Sequence, residues 1–201
     1  MLYRRDTGRT GRIADRRRTT PARAACSISG SGTVDVPQTG DTVTCSTPSP
    51  VTRGQIGDSN GGTSADPVEV NINDNVILDT SGEDSGFGGG AIKLDNAKVD
   101  LGNMAEIRDD ADGDSGVNAG TDATVTLGDS ARITADGRGV FAPFGDATVT
   151  LGDSAVIDAG SYGVDADGDA DITLEKDAQI TAGGRGVDAD DFVDVTVQSV
   201  A

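Results

Sequence analysis

From Val68 onward the apolar residues of this chain fall in pairs spaced i, i+2, three pairs to a unit. The first pair is Val70/Ile72, Val99/Leu101, Val125/Leu127, Val149/Leu151, Ile172/Leu174 and Val195/Val197. The second is Val76/Leu78, Ala105/Ile107, Ala131/Ile133, Ala155/Ile157 and Ala178/Ile180. The third is Ile92/Leu94, Val117/Ala119, Val140/Ala142, Val164/Ala166 and Val187/Ala189. A spacing of two is strand periodicity, with one face in and one out. No window sustains i, i+3, i+4, i+7, so no helix is predicted.

The unit also repeats nearly word for word. Residues 123–131, Ala-Thr-Val-Thr-Leu-Gly-Asp-Ser-Ala, return at 147–155 and, altered, at 170–178, with starts 24 and then 23 residues apart. A fixed period of this length marks a repeat architecture. Three short strands and three turns close one coil. A lone coil can neither bury its inward residues nor pair its strand edges. Stacking coils about 4.8 Å apart does both, because each strand pairs in parallel with its equivalent in the next coil. The predicted fold is all-β, a right-handed parallel β-helix of about 23–24 residues and three strands per coil, its hand following the usual chirality of parallel crossovers. A left-handed hexapeptide helix is disfavoured, since no six-residue apolar repeat occurs. Gly102, Gly128 and Gly152 follow strand one, where a sharp bend is expected to place them at positive φ. Gly116, Gly139, Gly163 and Gly186 precede the third-strand valine and are read as the same device at another corner.

Three zones follow. Residues 1–25 form a basic arm or damaged signal peptide, 26–67 an N-terminal β-rich cap and loop, and 68–201 the repeat array. Cys26 and Cys45 flank the β-like residues Val34, Val36 and Val43. A disulfide in a secreted protein is the natural reading of such a pair. Closing that loop is worth about 3 kcal/mol in chain entropy.

Composition changes the picture in two ways. Leu, Ile, Val and Phe make up 41 of 201 residues, a level at which acidic chains tend to disorder; the apolar register decides for folding. The net charge is −18, but residues 1–25 hold eight Arg and two Asp, leaving eight basic and 32 acidic residues, a net −24, in the body. Such a body repels nucleic acid and anionic membranes. His is absent, which excludes its catalysis or metal ligation. No apolar run approaches the ~20 residues of a bilayer span. Ala22-Arg23-Ala24 has the form of a cleavage site, yet no apolar core precedes it.

The motif A-x-[VI]-T-L-G-x-x-A-x-I, with G-V-x-A following, resembles the passenger-domain repeats of bacterial autotransporter-type surface proteins, within the pectin-lyase-like β-helix group. Cys26-Ser27-Ile28 after an Ala-x-Ala site is similar to their exported N-termini. The resemblance covers residues 26–201. It implies an exported protein at the cell surface or outside the cell, structural or adhesive, with host or neighbouring-cell molecules or glycans as partners. The sequence departs from that family in lacking an intact signal peptide and an array of strands for an outer-membrane barrel. Its last residues, Val193-Asp194-Val195-Thr196-Val197, begin a coil. The chain is therefore expected to be one piece of a longer exported protein, and to self-associate through an uncapped C-terminal coil.

Candidate chemistry lies on the outward columns. Asp74, Asn103, Asp129, Asp153 and Lys176 succeed one another after strand one, and Asp122, Asp146 and Asp169 precede each unit. Calcium would relieve stacked carboxylates, which makes Asp129 and Asp153 weak calcium candidates, though the G-G-x-G-x-D repeat is absent; a solvated acidic rim is the simpler reading. No other cofactor is implied. Arg138 and Arg185 share a corner with Asp165 and Asp188, a set that polysaccharide-cleaving β-helices could use, but the carboxylates look equivalent rather than split into acid and base. Outward Thr124/Thr126, Thr148/Thr150, Thr173 and Thr196 reflect β-propensity more simply than an ice-binding ladder. The array's exposed aromatics are Phe87, Phe141, Phe144, Tyr162 and Phe192. A non-enzymatic structural or adhesive module is the expected function, and a polysaccharide lyase or hydrolase the alternative; no catalytic residue is assigned.

Overall fold

A computed structural model describes residues 25–46, 51–52, 55–58, 61–63, 65–80 and 89–198. The arm up to residue 24, its cleavage-like tripeptide and Phe87 lie outside the described residues. The described chain contains strands and turns but no helix, and it winds into a parallel β-helix of about six turns. The first sheet stacks Thr42–Ser46, Val68–Ile72, Ala97–Leu101, Ala123–Leu127, Ala147–Leu151, Ala170–Leu174 and Val193–Val197. The second stacks Val51–Thr52, Ile77–Asp79, Glu106–Asp109, Arg132–Ala135, Val156–Ala159 and Gln179–Ala182. The third stacks Gly90–Leu94, Ser115–Ala119, Val140–Ala142, Val164–Ala166 and Val187–Ala189.

Like lies above like. Val125 pairs with Val99 and Val149, Ile133 with Ile107 and Ile157, Val164 with Val140 and Val187. The three predicted apolar pairs of each coil up to Val187/Ala189 form one continuous Val/Ile/Leu/Ala core along the axis. The stacking reaches back into the 26–67 segment: Thr42–Ser46 pairs with Val68–Ile72, Val51–Thr52 with Ile77–Asp79, and Ile56 bridges Ile92. Ala25–Ser29 then closes the first sheet by pairing antiparallel with Thr42–Ser46. Cys26 and Cys45 face each other in that pair and are joined by a disulfide. At the far end Val193, Val195 and Val197 are exposed.

The turn glycines differ from expectation. Positive φ falls on Asn75, Met104, Ser130, Ser154 and Asp177, two residues past the position that Gly102, Gly128 and Gly152 occupy. Each is the third residue of a four-residue turn, closed for example by the Ala131 amide on the Gly128 carbonyl at 3.1 Å. The glycines serve clearance instead. A Cβ at Gly152 would stand 3.0 Å from Asp129 Oδ1 of the coil below, and one at Gly128 2.7 Å from Asn103 Oδ1. The glycines before strand three clear something else: a Cβ at Gly116, Gly139 or Gly163 would strike Cγ2 of Ile133, Ile157 or Ile180.

Ile133 and Ile157 are fully buried, while Thr126 is exposed. Ile133→Asp would bury an unpaired charge and is expected to cost more than about 4 kcal/mol in chemical denaturation. Thr126→Asp meets one like charge in register, Asp100, with Thr150 on its other side, and is expected to cost about 1 kcal/mol or less. Equal costs would show that the in/out register is wrong.

Candidate functional site

The outward acidic columns are hydrogen-bond ladders. At the corner after strand one, Asp74 Oδ1 accepts the Asn103 amide at 2.8 Å, Asn103 Oδ1 the Asp129 amide at 2.9 Å, and Asp129 Oδ1 the Asp153 amide at 3.3 Å. At the corner before strand one, Asp122 Oδ1 accepts the Asp146 amide, Asp146 Oδ1 the Asp169 amide and Asp169 Oδ1 the Phe192 amide, at 3.3, 2.9 and 3.2 Å. Each rung links a side chain to the backbone of the coil above, between backbone bonds that also join the coils there, such as the Gly128 amide on the Leu101 carbonyl and the Met104 amide on the Asp129 carbonyl. A cleared glycine just before the amide lets the side chain in at five of the six rungs; at the last, Asp191 precedes the Phe192 amide. Where Glu175 takes the glycine's place, no described rung joins Asp153 to the Lys176 amide. The calcium candidates Asp129 and Asp153 thus stand in line rather than converging, and no group of three metal-ligating side chains gathers among the described residues.

A third carboxylate holds the N-terminal end. Buried Asp41 accepts the amides of Gln38 at 2.7 Å and of Ser31 and Gly32 at 2.9 Å, fastening the 30–38 loop over the first coil. The Gln38 amide, followed by the other two, holds its carboxyl below the usual range against the opposing effect of burial.

Comparison of the chain with family models, with curated proteins and with solved structures finds no significant match. What the surface can do is therefore read from its own residues.

The Arg–Asp set predicted at one corner is brought together as ion pairs. Arg138 Nε binds Asp165 of the next coil, and Arg185 binds Asp188. The Arg138 guanidinium lies 4.0 Å from the centroid of the Phe141 ring and 5.6 Å from that of Tyr162. Other cations also answer carboxylates across coils: Lys98 binds Glu69 at 2.8 Å and Arg132 binds Asp158 at 3.4 Å. The Glu69 carboxylate raises the Lys98 ammonium above its ordinary range. Of the threonines, Thr126, Thr150, Thr173 and Thr196 stack over four coils, whereas the Thr124–Thr148 column passes to Asp171 and Asp194. A shallow groove of about 690 Å³ crosses the early coils of the first sheet over Thr44, Asn71 and Asp100, edged by Asn73 and Asp74; no aromatic ring lines it.

One group escaped sequence reasoning. Asp109 and Asp114 are only 2% and 1% exposed, at the corner between strands two and three. Burial, foremost, pushes the Asp109 carboxyl above the usual range; the Ala111 amide opposes this, and repulsion from Asp114 and Asp110 adds to it. The available signal was the spacing. Successive first-strand pairs lie 29, 26, 24, 23 and 23 residues apart, so residues 109–114 belong to the extra length of an early coil.

The ladder makes a sharp distinction between substitutions. Asp129→Asn keeps an Oδ1 acceptor, as Asn103 already does, and is expected to leave stability within about 0.5 kcal/mol. Asp129→Ala removes the rung and is expected to cost about 1 kcal/mol in urea denaturation. Asp129→Asn with Asp153→Asn should likewise leave any calcium effect on the melting temperature unchanged. Loss of micromolar calcium binding in that double variant, measured by calorimetry, would instead make both residues ligands.

Proposed function

We propose that this chain is a non-enzymatic structural or adhesive module of a secreted or surface-displayed β-helix protein, akin to the passenger repeats of autotransporter-type proteins. The observation that carries the proposal is the use of the outward charges. Ladder carboxylates accept amides of the next coil, and arginines and lysines answer carboxylates of a neighbouring coil. Such groups hold a long repetitive surface in register, and a long stiff surface suits display and contact. The Cys26–Cys45 disulfide supports an oxidising location. The acidic body favours partners other than nucleic acid or anionic membrane.

A polysaccharide-active enzyme is the second reading. Asp109 favours it, since a carboxyl that burial pushes above its usual range, close to a second acidic side chain, is the raw material of acid–base chemistry. Against it stands the burial of both groups under the corner.

Incubating the full oxidised chain with polygalacturonate, alginate and xylan separates the two. The proposal expects no new reducing ends and no unsaturated products, and retention of chain-coated beads on cell or matrix surfaces above uncoated beads. Product formation abolished by Asp109→Asn would establish the enzyme instead.

A further inference from the structure

The described aromatic rings of the solenoid are gathered on one side. Phe141 lies in the third sheet, Tyr162 just before its next strand, and Phe144 and Phe192 at the corner where the third sheet gives way to the first. No described ring lies on the outward face of the first or second sheet. Phe144 and Phe192 are 80% and 76% exposed, so neither contributes to the core.

Charge is organised around these rings in two columns. Arg138, Tyr162 and Arg185 each stand two residues before the third-strand valine, on successive coils. Their backbones are tied in the same way: the Gly139 amide donates to the Tyr162 carbonyl at 2.9 Å and the Gly163 amide to the Arg185 carbonyl at 3.0 Å. Phe141, Asp165 and Asp188 form the neighbouring column, in register. The Arg138–Asp165 and Arg185–Asp188 pairs cross between the columns.

We propose that this side is a binding platform for an extended neutral polysaccharide laid along the solenoid axis. The inference rests on the reading of the chain as a non-enzymatic surface module and assigns that module a ligand class. Three features select the ligand. The exposed rings of Phe144 and Phe192 match the C–H faces of pyranose rings, and half-buried Tyr162 between them carries a hydroxyl. The guanidinium–carboxylate pairs offer donors and acceptors side by side, as sugar hydroxyls require, since each hydroxyl both donates and accepts. Asp165 engages Nε of Arg138, so the terminal nitrogens keep donor capacity. The pairs also cancel their own charge, and the acidic body around them repels polyanions. The coil repeat of about 4.8 Å is close to the length of one sugar unit, so a chain along the axis meets Arg138, Tyr162 and Arg185 at successive units. A protein partner fits less well: it would have to dehydrate both ion pairs, whereas a sugar keeps them hydrogen-bonded.

The chain has two tyrosines and no tryptophan, so Tyr3→Phe leaves Tyr162 as the only tyrosine. Titrating the full Tyr3→Phe chain with galactomannan, xyloglucan and laminarin should give a saturable change in Tyr162 fluorescence with at least one of them. Adding Arg138→Ala should weaken that binding at least tenfold. So should Phe144→Ala, whose solvated side chain puts folding at no risk. Thr148→Ala, on the first sheet, should leave it unchanged. No saturable change with any of the three overturns the platform. So do equal affinities in all variants, a preference for polygalacturonate, or a response only to a protein probe such as gelatin. Binding accompanied by new reducing ends upholds the platform and overturns the non-enzymatic reading, so the two claims fail separately.

Discussion

A coil of three short strands leaves rows of N–H and C=O groups on both its edges, and buried groups of this kind must be paired. Here only another coil can pair them. That single demand sets the rest of the structure. Parallel pairing holds equivalent residues one above another, so a valine that suits one coil sits on a valine in the next, as Val99, Val125 and Val149 do. The core is accordingly narrow and continuous, with small alanines and β-branched side chains filling each layer. At the N-terminal end the demand is met by an antiparallel strand, Ala25–Ser29, pinned by Cys26–Cys45 and by the loop that Asp41 fastens.

The turns face the same demand without strand geometry. Backbone bonds between coils continue through them, and Asp and Asn side chains accept the turn amides of the coil above that those bonds leave over. This explains why an acidic column can persist at a corner despite repulsion: Asp74, Asp122, Asp129, Asp146 and Asp169 each accept an N–H within 3.3 Å. It also explains the glycine before the next Asp, since Gly152 and Gly128 leave room for the acceptor below. Repetition of this kind extends to the outer surface, where Arg138, Tyr162 and Arg185 line up because their backbones must. The proposed role in contact along the length rests on a repeated surface of that form.

The coil itself was legible in the sequence, because spacing of two is a local signal: Val125/Leu127, Ala131/Ile133 and Val140/Ala142 announce their inward faces without knowledge of the neighbouring coil. The ladders were not. Asp129 in a turn looks like a solvated charge until the coil below and the coil above are in place, although the recurring Gly-Asp at 128–129, 145–146, 152–153 and 168–169 was a usable hint. Turn propensity pointed to Gly128 for positive φ, but tertiary clearance claimed that glycine and left Ser130 at 57°. Met104 at 57° shows the same override more strongly, since nothing local favours a long side chain there. Asp109 and Asp114 were illegible for a related reason, because their burial depends on the extra length of an early coil. The pairing of Arg138 with Asp165 was half legible: the sequence placed them on one corner, and the coil offset decided which partners meet.

The central claim is that turn side chains complete the inter-coil pairing around the corners. Amide hydrogen exchange, resolved residue by residue, tests it directly. The amides of Asn103, Asp129, Asp146, Asp153 and Asp169 sit in turns at the solvent-facing rim, where unbonded amides exchange at free-chain rates. The account predicts that they exchange nearly as slowly as the strand amides of the same coils, and that the Asp153 amide alone is released in Asp129→Ala. Exchange of these five amides at the rate of an unstructured loop, with the strands still protected, would contradict it.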